Sequence, residues 1–123
     1  GLIYRREGNY NAALESLTKA ITADNTQARY YYNRAEVLRL KKDLEGAHGD
    51  LALALSYDPG CVEYLYVRGL VCVGLQRYEK AVVDLENAKN GQTNEKDVEM
   101  MHDTLYHLGL AHSGLSKYKE AVD

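Results

Sequence analysis

The feature that most constrains this sequence is an internal repeat in which small residues recur at one constant interval. The interval from Ala13 to Ala47 equals that from Ala47 to Ala81, and a second set of small residues, Ala20, Ala54 and Ala88, recurs with the same period. Small residues at fixed positions with apolar residues between them are typical of stacked helical hairpins. The period therefore predicts an all-α solenoid, in which each pair of antiparallel helices buries its sides against the next pair.

The repeat divides the chain into four units, which are residues 1–27, 28–61, 62–95 with an insertion reaching about 101, and 102–123. The second and third units are complete, and the first and fourth are partial. Between the third and fourth units the offset rises from 34 to 40, because Gly69 corresponds to Gly109. We place the additional residues near 91–97. They are expected either to extend the next helix from about Glu95 or to form a loop.

Apolar residues at spacings of three and four predict two helices in each complete unit. The expected helices cover residues 1–6, 10–23, 27–40, 44–57, 61–75 and 78–90, followed by helices from about 95 and from 117. Gly8 and Asn9 are predicted to break the chain after the first helix. Pro59, the single proline, is expected to end the fourth helix, because proline cannot continue it. Gly69 costs helix propensity, so close packing is the expected reason for its presence.

Composition limits the classes of partner. The chain has 15 Lys and Arg against 18 Asp and Glu, which disfavours nucleic acid because its binding proteins usually carry a basic face. The longest uncharged apolar run, residues 69–75, is too short to cross a bilayer. Cys61 and Cys72 would lie roughly 16 Å apart on one predicted helix, beyond the reach of a disulfide. We therefore expect reduced cysteines in an intracellular, cytoplasmic protein.

The sequence contains no motif for catalysis or cofactor binding, and we predict neither an enzyme nor a metal site. A glycine-rich phosphate loop, a metalloprotease helix and a nucleophile elbow are all missing from it. His102, His107 and His112 are five residues apart, which rotates each by about 140° around a helix, so they do not share a face. Cys72 is expected to be a buried apolar group rather than a nucleophile.

Aromatic, small and apolar residues follow a fixed order within each unit. In the second unit this order is Tyr31, Ala35, Leu38, Ala47, Leu51, Ala54 and Pro59, and in the third it is Leu65, Gly69, Cys72, Ala81, Leu85 and Ala88. The order resembles the tetratricopeptide repeat family, whose fold is a right-handed superhelical solenoid of antiparallel helix pairs. The resemblance departs at Arg34 and Arg68, which stand where the family has leucine.

In that family the first helix of each pair lines a concave groove, and the resemblance implies where the groove residues lie. They are Arg5, Arg29, Tyr32, Asn33, Glu36, Arg39, Tyr66, Leu70, Val73, Tyr106, His107 and Leu110. Such a groove would have a basic end near the N-terminus and an apolar to acidic end near the C-terminus. It suits an extended or helical peptide with apolar side chains and an acid at one end. The alternative is that the tyrosines only pack the inner face.

The resemblance implies a scaffold or adaptor that binds a segment of a partner protein. One subclass of the family clamps the terminal carboxylate of chaperone tails, but only Asn33 matches its residues, and Glu63 would repel a carboxylate. An alternative function is a structural segment of a large assembly, with further repeats or other subunits at its ends. An RNA-binding helical repeat is a third class, which the length of the period and the missing basic groove disfavour.

Overall fold

The computed structural model describes residues 2–91 and 98–122, and it describes side chains over residues 8–91 and 102–117. The helices in these ranges are α1 (Leu2–Ala23), α2 (Ala28–Leu40), α3 (Leu44–Tyr57), α4 (Val62–Gly74), α5 (Tyr78–Gly91) and α6 (Val98–Val122). No strand occurs in either range. Within the same ranges, no helix combines the length and the apolar character that a membrane crossing requires. The chain forms two compact units, residues 1–59 with α1 to α3 and residues 60–123 with α4 to α6.

In the first unit, α2 packs against both α1 and α3. Three small residues at the repeating positions, Ala35, Ala47 and Ala54, are fully buried between these helices. Asp43 caps α3, because its side chain accepts a hydrogen bond of 3.0 Å from the backbone N–H of Gly46. The predicted role of the alanines, which is to let paired helices approach closely, is confirmed for this hairpin.

In the second unit, α4, α5 and α6 all contact one another. Their shared core contains Cys72 from α4, Ala81 from α5 and Ala111 from α6, each of them fully buried. At Gly69, an added Cβ atom would lie 2.6 Å from the side chain of Leu85, which is closer than real side chains approach. The prediction that close packing explains this glycine is therefore confirmed.

The two complete hairpins turn in the same way. Lys42 and Gln76, which occupy the same position of the repeat, have positive φ angles of 71° and 62°. After each of them the backbone N–H of the next residue donates a hydrogen bond of 2.8 Å to a carbonyl five residues earlier, Asp43 to Leu38 and Arg77 to Cys72. This arrangement is a common ending of α-helices. The two complete repeats therefore share the left-handed backbone conformation of the turn residue as well as the sequence pattern.

Each complete hairpin also contains one buried ion pair between its two helices. The guanidinium of Arg34 donates two hydrogen bonds to the carboxylate of Asp50, at 2.7 and 2.8 Å. Arg68 binds Asp84 in the same manner, at 2.8 and 2.7 Å. The aspartates are only 6% and 1% exposed, and the hydrogen bonds to their carboxylates raise the pKa of both arginines. The arginines that depart from the family pattern thus have a defined structural partner 16 residues later.

Two predicted helix breaks are wrong. Helix α1 continues through Gly8 and Asn9, and α6 continues through Lys117, where a new helix was expected. Neither partial unit has both residues of the buried ion pair, since Ser16 stands at the aspartate position and Leu108 at the arginine position. A glycine permits a turn without requiring one. Both missing breaks therefore lie in units that lack a complete pair. The expected start of a helix near Glu95 lies outside the described residues.

Candidate functional site

Five of the six predicted site residues of the first unit lie along one helix, α2. Arg29 and Asn33 are exposed, whereas Tyr32, Glu36 and Arg39 are half-buried. Arg39 donates a hydrogen bond of 2.9 Å to Glu36, so these two predicted site residues form an ion pair with each other. Arg5 belongs to α1, but its side chain lies outside those described.

Three contacts of Tyr31, on the buried side of α2, hold this helix in place. The Tyr31 ring stacks on that of Tyr57 with 5.9 Å between centroids and 5° between planes. The Tyr31 hydroxyl donates a hydrogen bond of 2.8 Å to the backbone carbonyl of Asn25. The Arg34 guanidinium lies 6.0 Å from the centre of the Tyr31 ring. These contacts fix the orientation of α2 and so determine which of its residues reach solvent.

The predicted site residues of the second unit come from two helices that contact each other, α4 and α6. The rings of Tyr66 and His107 meet edge to face, with centroids 6.2 Å apart, and Tyr106 meets His107 in the same way at 5.3 Å. Leu70 and Leu110 each lie four residues after a tyrosine of this group, on the same helix faces. We call the surface formed by Tyr66, Leu70, Tyr106, His107 and Leu110 the α4–α6 face.

The α4–α6 face is partly open to solvent. Tyr106 is 65% exposed and Leu110 is 41% exposed, while Tyr66, Leu70 and His107 are half-buried. The imidazole Nδ1 of His107 lies 2.7 Å from the backbone carbonyl oxygen of Asp103, which fixes the plane of the ring. This face therefore combines rings held in position with apolar surface that remains accessible.

Val73 does not join that face. It is half-buried and packs against the core cluster of Cys72, Ala81 and Ala111. An open cleft of about 490 Å³ lies instead at the turn between α4 and α5, lined by Gln76, Arg77, Tyr78, Glu79, Lys80 and Leu115. Gly114 is where α6 approaches Tyr78, because an added Cβ atom there would overlap the tyrosine ring. None of the cleft residues was a predicted site residue, and their mixed charges carry no motif by which the sequence could indicate them.

The structure agrees with the predicted role of Cys72 as a buried apolar group. Cys72 is fully buried, and burial, with a smaller contribution from Asp84, raises the pKa of its thiol to about 11. Cys61 is half-buried at the residue before α4 rather than within the helix, and both thiols are free. Among the described residues, no three His, Cys, Asp or Glu side chains are placed to hold a metal ion.

The two cysteines are expected to differ in reactivity. At pH 8, iodoacetamide should modify Cys72 at least about 100-fold more slowly than Cys61, because the raised pKa leaves little thiolate and burial blocks access. Mass spectrometry of tryptic peptides over a time course measures both rates. In denaturant the two rates should become equal, and equal rates in the folded protein would contradict the burial of Cys72.

Since the thiol pKa of Cys72 in the folded state, about 11, exceeds the ordinary value of 9.0, raising the pH through this interval should lower the free energy of unfolding.

Sequence comparison finds a family and a relative. The family model described as TPR repeat matches residues 1–42. The DnaJ homolog subfamily C member 7 homolog of Schizosaccharomyces pombe is 37% identical over 87 residues, which are 68% of this chain and 18% of that protein. The chain thus spans less than a quarter of the length of this relative.

Solved structures with the same fold include two that hold peptides. The Yersinia enterocolitica type III secretion chaperone SycD, in complex with a peptide of the translocator YopD, matches 94% of this chain and 88% of that chain at a TM-score of 0.80 and 13% identity. The first TPR of Spaghetti (RPAP3), bound to the HSP90 peptide SRMEEVD, matches 89% of this chain and 87% of that chain at a TM-score of 0.70 and 24% identity. At these identities the likeness concerns the fold.

Proposed function

Because this chain belongs to the tetratricopeptide repeat family, we propose that it is a scaffold that binds a peptide segment of a partner protein along the first helices of its hairpins. The observation that supports this most directly is the α4–α6 face, where Tyr106 and Leu110 are exposed beside the half-buried ring of Tyr66. Exposed aromatic and apolar side chains on adjacent helices are typical of protein-binding surfaces. A partner's side chains would cover this surface and bury it from water.

Two solved structures of the same fold, SycD with a YopD peptide and the Spaghetti TPR with an HSP90 peptide, support a peptide as the class of ligand. A clamp for a terminal carboxylate does not fit here. Of the positions that would form it, Glu63 is an exposed acid and Val67 is buried at 5% exposure. The ligand is therefore an internal segment of the partner, recognised by its side chains.

The free thiols of Cys61 and Cys72 and the net charge of -3 support a cytoplasmic protein whose partner is neither nucleic acid nor membrane.

A displayed library of 12-residue random peptides, selected on the immobilised chain, tests the proposal. Fluorescence anisotropy then gives the dissociation constant of each selected peptide for the wild type and for Tyr66→Ala. We expect about a tenfold weaker affinity for the variant, because a central aromatic residue of an interface contributes a large share of the binding energy.

Val83→Ala is the matched control for this experiment. Val83 is 57% exposed on α5, the second helix of the same hairpin, and its truncation should leave the affinity unchanged. Circular dichroism should show the same helical content for all three proteins. If Tyr66→Ala and Val83→Ala bind the selected peptides equally well, the first helices are not the binding surface and the proposal fails.

A structural segment of a larger assembly is the second candidate, and a surface on α6 favours it. Leu105 is 48% exposed, and an added Cβ atom at Gly109 would meet nothing within 4 Å. The corresponding glycine of α4, Gly69, is covered by Leu85 of α5. Light scattering separates the candidates, since a monomer at micromolar concentration favours a transient scaffold and self-association favours an embedded segment.

A further inference from the structure

The charge next to the repeated tyrosine changes sign along the chain. Three residues before the tyrosine, α2 carries Arg29, whereas α4 carries Glu63 and α6 carries Asp103. Residues three apart on a helix are neighbours on its surface. In the second unit, each tyrosine of the α4–α6 face therefore has a carboxylate on the adjacent turn of its own helix.

Helical spacing places these two acidic residues one turn before the tyrosines of the ring cluster. Asp103 and Glu63 are both exposed, and each lies one turn before its tyrosine. The rings of Tyr66, His107 and Tyr106 form a continuous contact across α4 and α6. Since the His107 imidazole contacts the backbone of Asp103, the acidic turn and the ring cluster are parts of one surface.

In the described parts of α4 and α6, no lysine or arginine lies one helical turn from Asp103. In the described part of α4, the one basic residue is Arg68, whose guanidinium is bound by the buried carboxylate of Asp84. Among the described side chains of α6, Lys117 is the one lysine or arginine. It lies ten residues after His107, about 15 Å further along the helix. Within α4 and α6, the exposed carboxylate of Asp103 therefore leaves negative charge one turn from the ring cluster.

We propose that the α4–α6 face binds an arginine side chain of the partner segment. The faces of tyrosine rings attract a guanidinium through their quadrupole, and the planar guanidinium stacks on them while donating hydrogen bonds to a carboxylate. Tyr106 offers the exposed ring and Asp103 the exposed carboxylate, one turn apart on α6. This inference rests on the proposed function and deepens it, because it makes the partner segment basic at this position rather than acidic.

The test uses N-acetyl-arginine amide as the probe and N-acetyl-citrulline amide as its neutral isostere. Each is titrated into the ¹⁵N-labelled chain, and amide chemical shifts report the site and the affinity. We expect the arginine probe to shift the amides around Tyr66, Asp103 and His107 and to bind about threefold to tenfold more tightly than citrulline. Asp103→Asn should reduce the arginine affinity to that of citrulline. Glu79→Gln, which removes an exposed carboxylate from α5 in the same unit, should not change it.

Equal binding of arginine and citrulline, or tighter binding of N-acetyl-glutamate amide at the same amides, would overturn the inference. Its failure is distinguishable from failure of the proposed function. If selected peptides bind in a Tyr66-dependent way but show no preference for arginine, the scaffold function stands and the basic partner is excluded. If no selected peptide depends on Tyr66, the scaffold function itself is excluded, whatever the small probes show.

Discussion

Arg68→Met is expected to lower the free energy of unfolding by about 3 kcal/mol. The substitution keeps an unbranched apolar side chain but leaves the Asp84 carboxylate, which is 1% exposed, without its guanidinium. An unpaired buried charge costs far more than the net worth of the pair that contained it. Urea denaturation followed by circular dichroism measures the loss as a lower midpoint with an unchanged slope.

Two further variants show whether the cost comes from burial. Lys89→Ala removes an ion pair with Glu86 that spans 3.4 Å at the surface of α5, and it should cost no more than about 0.5 kcal/mol. The double variant Arg68→Met with Asp84→Leu should recover most of the stability, because no charge then remains in the core. If Arg68→Met costs as little as Lys89→Ala, the Asp84 carboxylate is not buried in solution.

Gly69→Ala and Gly109→Ala are expected to change stability in opposite directions, although the two glycines occupy the same position of the repeat. At Gly69 the new methyl group would lie 2.6 Å from Leu85, a fully buried side chain that must shift. The overlap outweighs the gain in helix propensity, so a net loss of about 1 kcal/mol follows. At Gly109 an added Cβ atom would meet nothing within 4 Å. The higher helix propensity of alanine should therefore raise the free energy of unfolding by up to about 1 kcal/mol.

Thermal denaturation of the two variants measures the difference directly, and each variant is the control for the other. Both variants add one methyl group, at corresponding positions of α4 and α6, so the two proteins have the same amino-acid composition. Should both variants be stabilised, α4 and α5 are not packed closely at Gly69. Should both be destabilised, the surface of α6 at Gly109 is covered in solution.

Much of the fold could be predicted from periodicity alone. Helix α3 has the predicted bounds, Leu44 to Tyr57. The alanines at 35, 47, 54, 81 and 88 in the two complete units are fully buried, whereas those at 13 and 20 in the first partial unit are half-buried. These predictions succeed because a helix in a repeat buries one face, and small residues mark where the neighbouring helix comes closest. Spacing along the chain carries that information without knowledge of any partner residue.

The buried ion pairs could not be predicted position by position. Taken singly, Arg34 and Arg68 are polar residues at an apolar position, and Asp50 and Asp84 are ordinary helix residues. Only the joint recurrence of arginine and aspartate, 16 residues apart in both complete units, indicates a contact.

The positions of the turns were predicted poorly for a related reason. Gly8 has the residue type of a turn but lies within α1, whereas Lys42 and Gln76 adopt positive φ angles without being glycine. The residue type at the bend therefore does not by itself indicate whether a hairpin closes. Local propensity describes only what the backbone permits.

The resemblance indicated the residues of the candidate site, but not their arrangement. Tyr66 and His107 belong to different units of the repeat, and their edge-to-face contact depends on the register between α4 and α6. The change of period between these two units makes that register impossible to derive from counting alone. The insertion near 91–97 lies largely outside the described residues, and whether it extends a helix stays a prediction.

Because each arginine and its aspartate belong to the same hairpin, the specificity for pairing two helices is encoded within one module of the repeat. A duplicated copy of residues 28–61 would carry both residues of its ion pair, together with the left-handed turn at Lys42. Lengthening such an array by whole modules therefore keeps each ion pair intact, whereas a cut between Arg34 and Asp50 would separate the two charges.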